Sequence, residues 1–293
     1  MNLHELKTLL EQQTTHKIAV MGIPYDANSS FMRGTAEAPP LIRKAFFSDA
    51  SNLWTETGVN LGAEDLLLDA GDLTFGPGED PLTVIEDSTA LLLERSILPI
   101  ALGGDHAISY PIIRAFRQKY RKLNVLLFDA HPDLYNEFQG SRYSHACPFA
   151  RIMEEQLTDR LVQVGIRAMN GHQHRQAEKF GVEVIEMRHW KDENPLSFDA
   201  PVYISLDMDA LDPAFAPGVS HREPGGFTTR QVIDALHMIK GTIVGADIVE
   251  YNPRNDALGV TAAVGAKLMK ELAGQLILRN HPETQEKISS TEH

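Results

Sequence analysis

Short apolar runs rich in β-branched residues recur along the whole chain, at 18–23, 98–102, 125–128, 161–166, 182–185, 202–206 and 243–249. Each is too short for a buried helix and reads as a strand. Between most of them lie stretches with helical spacing, at 81–94 (Leu82, Ile85, Leu91 and Leu92 as apolar members), 110–122 and 228–239. Strands that are apolar on both faces and alternate with helices make a parallel sheet covered on both sides. The expected fold class is therefore α/β, a three-layer α/β/α arrangement around a mostly parallel central sheet. No linker, fixed-period repeat or low-complexity tract interrupts this pattern, so a single domain is expected over 1–293. A polar N-terminal segment covers about 1–16, and a polar tail from about 280 to 293 is expected to fray.

Composition narrows the function. The 293 residues are 43% hydrophobic, enough for a sizeable core. Twenty-seven Lys and Arg against 40 Asp and Glu leave a net charge of -13. That sign opposes attraction to nucleic acid or to an anionic membrane surface and favours cationic small molecules. No apolar run nears the roughly 18 residues a spanning helix needs, and the N-terminus lacks the pattern of a secretory signal. The single cysteine, Cys147, permits no disulfide within the chain. Together these features predict a soluble, cytoplasmic protein.

Ligands in open α/β sheets bind beyond the carboxyl ends of the strands. Three of the apolar runs end in acidic or imidazole groups: Gly103-Gly104-Asp105-His106, Asp129-Ala130-His131-Pro132-Asp133 and Asp207-Met208-Asp209. Spacing by two in an extended segment points Asp129, His131 and Asp133 one way, and Asp207 and Asp209 likewise. Four carboxylates crowded together repel one another unless cations intervene, and two divalent ions cancel their charge. Six candidate ligands follow: His106, Asp129, His131, Asp133, Asp207 and Asp209. An oxygen-rich set with two imidazoles and no thiolate suits two Mn²⁺ better than zinc, with nickel, cobalt or iron as alternatives. A lone Asp-x-Asp is most often a turn or a cap. The conjunction after three separate strands is what points to metal.

With these motifs in place, the chain resembles the ureohydrolases, the family of arginase, agmatinase and guanidino-acid hydrolases. The resemblance runs from Gly22 to about Leu272. It rests on Gly22-Ile23-Pro24-Tyr25-Asp26, Arg33-Gly34, the three ligand motifs, Ser205-Leu206-Asp207-Met208-Asp209, Asp212-Pro213, Ala216-Pro217-Gly218, Gly225-Gly226 and Asp247-Ile248-Val249-Glu250-Tyr251-Asn252-Pro253. It implies a binuclear manganese centre in which Asp129 and Asp207 bridge, with His106 and Asp133 completing one site and His131 and Asp209 the other. It also implies cleavage of a guanidino compound to urea and an amine, and assembly as a homo-trimer or homo-hexamer. Glu250, at the end of run 243–249, would pair with the guanidinium in bidentate fashion. His145 would carry protons to the departing amine. Asp133 joins these two as a candidate catalytic group.

The sequence departs from the family at Pro132, which stiffens the ligand loop, and at Val219-Ser220-His221-Arg222-Glu223-Pro224, where arginase and agmatinase typically read Thr-Gly-Thr-Pro. His221 falls where they place a small hydroxyl residue. It is expected to shorten the pocket or add a second proton carrier, while Arg222 is expected to attract a carboxylate-bearing substrate tail. Segment 165–170 lacks the acidic residue that would grip an arginine α-amine, which points away from arginase. The acidic whole-protein charge favours agmatine, so an agmatinase-like activity is expected, with a guanidino acid such as guanidinobutyrate, a compact guanidine or arginine as alternatives. Two other classes remain: a two-metal phosphoesterase, which needs phosphate-binding cations or a Gly-rich loop leading into a helix, and a catalytically inactive metal-binding partner protein.

Overall fold

A computed structural model describes residues 1–12, 16–63, 65–193 and 196–281. Its centre is one eight-stranded sheet, and every strand pairing in it is parallel. The strands are β1 (Ile18–Ile23), β2 (Leu67–Asp72), β3 (Leu98–Gly103), β4 (Asn124–Phe128), β5 (Arg160–Ile166), β6 (Glu183–Glu186), β7 (Val202–Asp207) and β8 (Ile243–Val249). All seven expected strands form. The eighth, β2, reads Leu-Leu-Asp-Ala-Gly-Asp. Apolar runs miss it because Asp69, Gly71 and Asp72 interrupt it, which its half-exposed place at a sheet edge tolerates; β6, at the other edge, keeps Val184 and Ile185.

The helices are α1 (Leu3–Gln12), α2 (Ala38–Phe46), α3 (Pro81–Glu94), α4 (Ser109–Lys119), α5 (Pro148–Glu154), α6 (Gly171–Phe180), α7 (Thr229–Met238) and α8 (Val260–Asn280). Alternate residues of a strand face opposite ways, so each strand feeds two cores. Ile18 and Val20 of β1 enter one with Ile42, Phe46, Leu236 and Leu272; Ala19 and Met21 enter the other with Ile85, Phe116 and Phe149. Those partners belong to α2, α7 and α8 on one face and to α3, α4 and α5 on the other, which makes the three expected layers.

The N-terminal segment is more than a polar lead. Leu6 and Leu10, one turn apart, are both buried on the α3 side, and Asn2 and Glu5 cap the start of α1 reciprocally. The tail expected to fray lies, from residue 282, outside the described residues. No helix among the described residues is long and apolar enough to cross a membrane.

The strand order, β2-β1-β3-β8-β7-β4-β5-β6, positions the site. The chain builds β1 to β3, jumps to β4, builds outward to β6, and returns to fill the gap with β7 and β8. Four neighbouring central strands, β3, β8, β7 and β4, thereby end side by side.

Candidate metal centre and its cavity

Register brings the ligand motifs together. Phe128 of β4 lies opposite Leu206 of β7, and Asp207 opposite Val249 of β8. Asp129, Asp207 and Glu250 therefore emerge in a row, while β3, paired with β8 at Leu102 and Ile248, delivers His106 to the same edge. All six candidate ligands meet. His106, Asp129 and Asp133 form one group whose ligand atoms lie within 4.8 Å of one another, and Asp129, His131 and Asp209 form a second. Asp129 belongs to both. Asp207 reaches the first group, its Oδ2 lying 3.1 Å from His106 Nδ1, while its Oδ1 accepts from the Asp209 backbone N–H.

The protonation chemistry tests whether cations fit. Asp247, fully buried, accepts from Tyr203 Oη and Ser109 Oγ at 2.8 Å and from Ser205 Oγ at 2.7 Å. Ser205 has then used its proton, so it can only accept from His106 Nε2, 3.0 Å away. The proton of a neutral His106 is thereby fixed on Nε2. Its bare Nδ1 faces carboxylate oxygens of Asp129, Asp133 and Asp207 at 3.2, 3.0 and 3.1 Å, and both Nδ1 and Asp129 Oδ2 are buried without a hydrogen bond. A lone pair amid three carboxylates is a cation site.

The titration directions agree. Burial, then repulsion from Asp209 and Asp133, lifts Asp129 to about 6, and burial with the charges of Asp209 and Asp129 raises Asp207 well above its usual range. Burial opposes charge on His106, but its three carboxylate neighbours outweigh that and raise it well above an ordinary histidine. The bare cluster draws in protons, and divalent ions would replace them. The residues fit a metal pair.

A cavity of about 500 Å³ opens beside the cluster. Its wall includes His131, Asp133, Asp207 and Asp209, together with His145, His221 and Glu250. Glu250 Oε1 accepts from the His106 backbone N–H at 3.0 Å and faces His145 Nδ1 at 2.7 Å. Asp133 and Glu250 both hold positive φ, 48° and 64°, a conformation costing about 1–2 kcal/mol. Strain at two candidate catalytic carboxylates marks backbone placement set by the surroundings.

His221 stands where the sequence suggests, its ring 5.6 Å from that of His145 and 5.7 Å from that of His131. Burial, then the neighbouring His145, keeps it more readily neutral. Arg222 corrects the expectation: it is exposed, its Nε donates to Pro217 O, and it does not line the cavity. The one Lys or Arg on the wall among the described residues is Arg167. Its guanidinium donates to the carbonyls of Gly165, Asp209, Ala210, Leu211 and Glu223. Among the described residues no Lys or Arg on the wall is left free to grip a phosphate, so the phosphoesterase reading has no support.

Sequence reasoning assigned no role to Asp247, Arg167 or Ser30, which also lines the cavity. Asp247 carried a signal, a lone charge inside an otherwise apolar strand. The other two had none.

A parallel α/β sheet that gathers two imidazoles and four carboxylates at one edge, beside a cavity, defines the frame of a metal-dependent hydrolase. The model of the Arginase family matches residues 16–274, and the chain belongs to that family of ureohydrolases. Among its relatives is "Arginase 1, mitochondrial" of Arabidopsis thaliana, 46% identical over 275 residues, covering 88% of this chain and 80% of that protein. The guanidinobutyrase of Pseudomonas aeruginosa is 33% identical over 271 residues, covering 87% and 84%. Arginase from Medicago truncatula superposes with a TM-score of 0.87 at 40% identity, covering 93% of each chain. The expected cytoplasmic location is corrected by these relatives, since plant arginases resembling this chain are named mitochondrial, or chloroplastic and mitochondrial. Their names also stand against the expectation that pointed away from arginase.

Proposed function

We propose that this chain cleaves the guanidino group of L-arginine, releasing urea and ornithine, at a site built for two Mn²⁺. The observation that carries the reading is the cavity itself, where Glu250 and the carboxylate cluster face a space in which the one Arg is tied to backbone carbonyls. Such a wall favours a guanidinium. L-arginine, rather than the agmatine expected from the sequence, is supported by 46% identity to an arginase against 37% to the N(1)-aminopropylagmatine ureohydrolase of Thermus thermophilus and 33% to a guanidinobutyrase.

His106 with Asp133, and His131 with Asp209, would hold the two ions, with Asp129 and Asp207 shared. When bound, the ions would lower the pKa of a water and make it nucleophilic near neutral pH. Asp133, on the cavity wall, would orient that water. Glu250 Oε1 is occupied by His106 N and His145, so Oε2 is the oxygen left for a guanidinium N–H. One oxygen therefore replaces the bidentate grip read from the sequence. Burial opposes charge on His145, but the Glu250 carboxylate outweighs it and lifts the imidazole to about 9. At neutral pH it carries the proton that the departing amine needs as the C–N bond breaks. A homo-trimer or homo-hexamer is proposed as its assembly, measurable by light scattering.

The test is urea release from L-arginine, agmatine and guanidinobutyrate by manganese-loaded protein. Turnover of agmatine or guanidinobutyrate with none of L-arginine sinks the substrate assignment. Guanidine binding without any urea would favour the inactive partner protein instead.

A further inference from the structure

Both ring nitrogens of His145 are engaged. Nδ1 lies 2.7 Å from Glu250 Oε1, and Nε2 lies 2.7 Å from Ser30 Oγ. A carboxylate can only accept, so Nδ1 carries a proton in either charge state, and Nε2 is the nitrogen that gains and loses one. The group on that nitrogen is the Ser30 hydroxyl, which also lines the cavity.

The loop that carries Ser30 is tied down on both sides of it. Asp105 Oδ2 accepts from Asn28 N at 2.9 Å, with Ser29 Oγ at 3.4 Å, and the Asp105 backbone N–H donates to Tyr25 O. Asp26 Oδ2 accepts from Gly34 N at the other end of the loop. His145 is tied to the same loop, its backbone N–H donating to Asn28 O at 3.1 Å. The motif that supplies His106 thus anchors, through Asp105, the loop that meets His145.

We propose that Ser30 relays the proton between His145 and the departing amine, an inference that rests on His145 being the proton carrier. In the resting imidazolium, Nε2–H donates to Ser30 Oγ. As the C–N bond breaks, the Ser30 hydroxyl proton passes to the amine nitrogen while Nε2–H moves to Oγ. One proton leaves the imidazolium, one reaches the amine, and Ser30 ends unchanged with its O–H donating back to neutral Nε2.

The experiment compares Ser30→Ala, Ser30→Thr and His145→Asn in the manganese-loaded protein, measuring kcat, KM and the dependence of kcat on the fraction of D₂O. Ser30→Ala is expected to lower kcat about 100-fold or more with KM little changed, within the range that positioned proton transfer contributes. Its D₂O dependence is expected to change from curved, two protons moving together, to linear. Ser30→Thr, which keeps the hydroxyl, is expected to restore both. If His145→Asn loses turnover while Ser30→Ala keeps the parent kcat and curve, or if Ser30→Thr is as impaired as Ser30→Ala, the relay is overturned and His145 stands alone. If His145→Asn keeps full kcat, the proton-carrier reading itself fails. Unchanged Mn²⁺ affinity by calorimetry in all three variants is part of the expected result, and a loss confined to metal binding would assign Ser30 to the metal site instead.

Discussion

Gly104→Ala is the substitution whose effect the structure specifies most closely. A Cβ on Gly104 would sit 2.1 Å from Tyr25 O and 2.8 Å from Ile23 O, where real Cβ atoms essentially never come closer than 3.0 Å. The obstacles are backbone oxygens, so no rotamer relieves the clash, and one strand end must retreat by about 0.9 Å, the gap between 2.1 and 3.0 Å. Both candidates for movement matter. Tyr25 O accepts from Asp105 N, and Gly104 O accepts from Glu250 N, so the shift passes to His106 and to Glu250. Overpacking of this kind costs about 1–3 kcal/mol, or a fall in Tm on the order of 2–10 °C. A misplacement near 1 Å costs about 100-fold in rate. Gly103→Ala is the milder comparison, because its Cβ would meet side-chain rather than backbone atoms, Ile108 Cδ1 at 2.6 Å and Val249 Cγ1 at 2.8 Å. Ile108 Cδ1 can move by rotation while Val249 is stiff, so Gly103→Ala is expected to lose less rate than Gly104→Ala. Thermal melting and urea release read the stability and rate effects separately, and Mn²⁺ calorimetry reads whether the shift reaches His106. A Gly104→Ala protein within about twofold of the parent in kcat/KM, with an unchanged Tm, would refute the steric argument.

Two further outcomes follow from named contacts. Asp247→Asn turns one acceptor oxygen into an NH₂; with the remaining oxygen kept by the two donors Tyr203 and Ser109, the NH₂ faces Ser205, whose hydroxyl then donates to His106 Nε2 and moves the ring proton to Nδ1; Mn²⁺ affinity should fall about 10–100-fold, and an unchanged Kd by calorimetry would remove the tautomer argument. Because the folded pKa of His145 is raised to about 9, its contribution to stability is fully present below the ordinary histidine value of 6.5 and is lost as pH rises through about 9. Denaturation of parent and His145→Asn across that window should give curves that converge at high pH. Parallel curves would count against the pairing with Glu250.

The sequence by itself determined the layers and which acidic and imidazole groups gather at the sheet edge. The inner strands were legible because a strand covered on both faces must be apolar throughout, β6 because it keeps Val184 and Ile185 at its edge, and the candidate ligands because they follow those strands, five of them at spacings of two. The edge strand β2 and the packed face of α1 escaped, since a half-exposed strand and a helix with two buried leucines leave weak patterns. Tertiary structure decided the rest. The Ser30 contact with His145 joins residues 115 apart and depends on how Asp105 folds the 28–30 loop. The tie of Arg167 to five carbonyls, and the exposure of Arg222, turn on loop geometry that no spacing encodes. Periodicity reports which face of an element is buried. Where a side chain ends in a cavity depends on which loop reaches it, and long-range packing sets that.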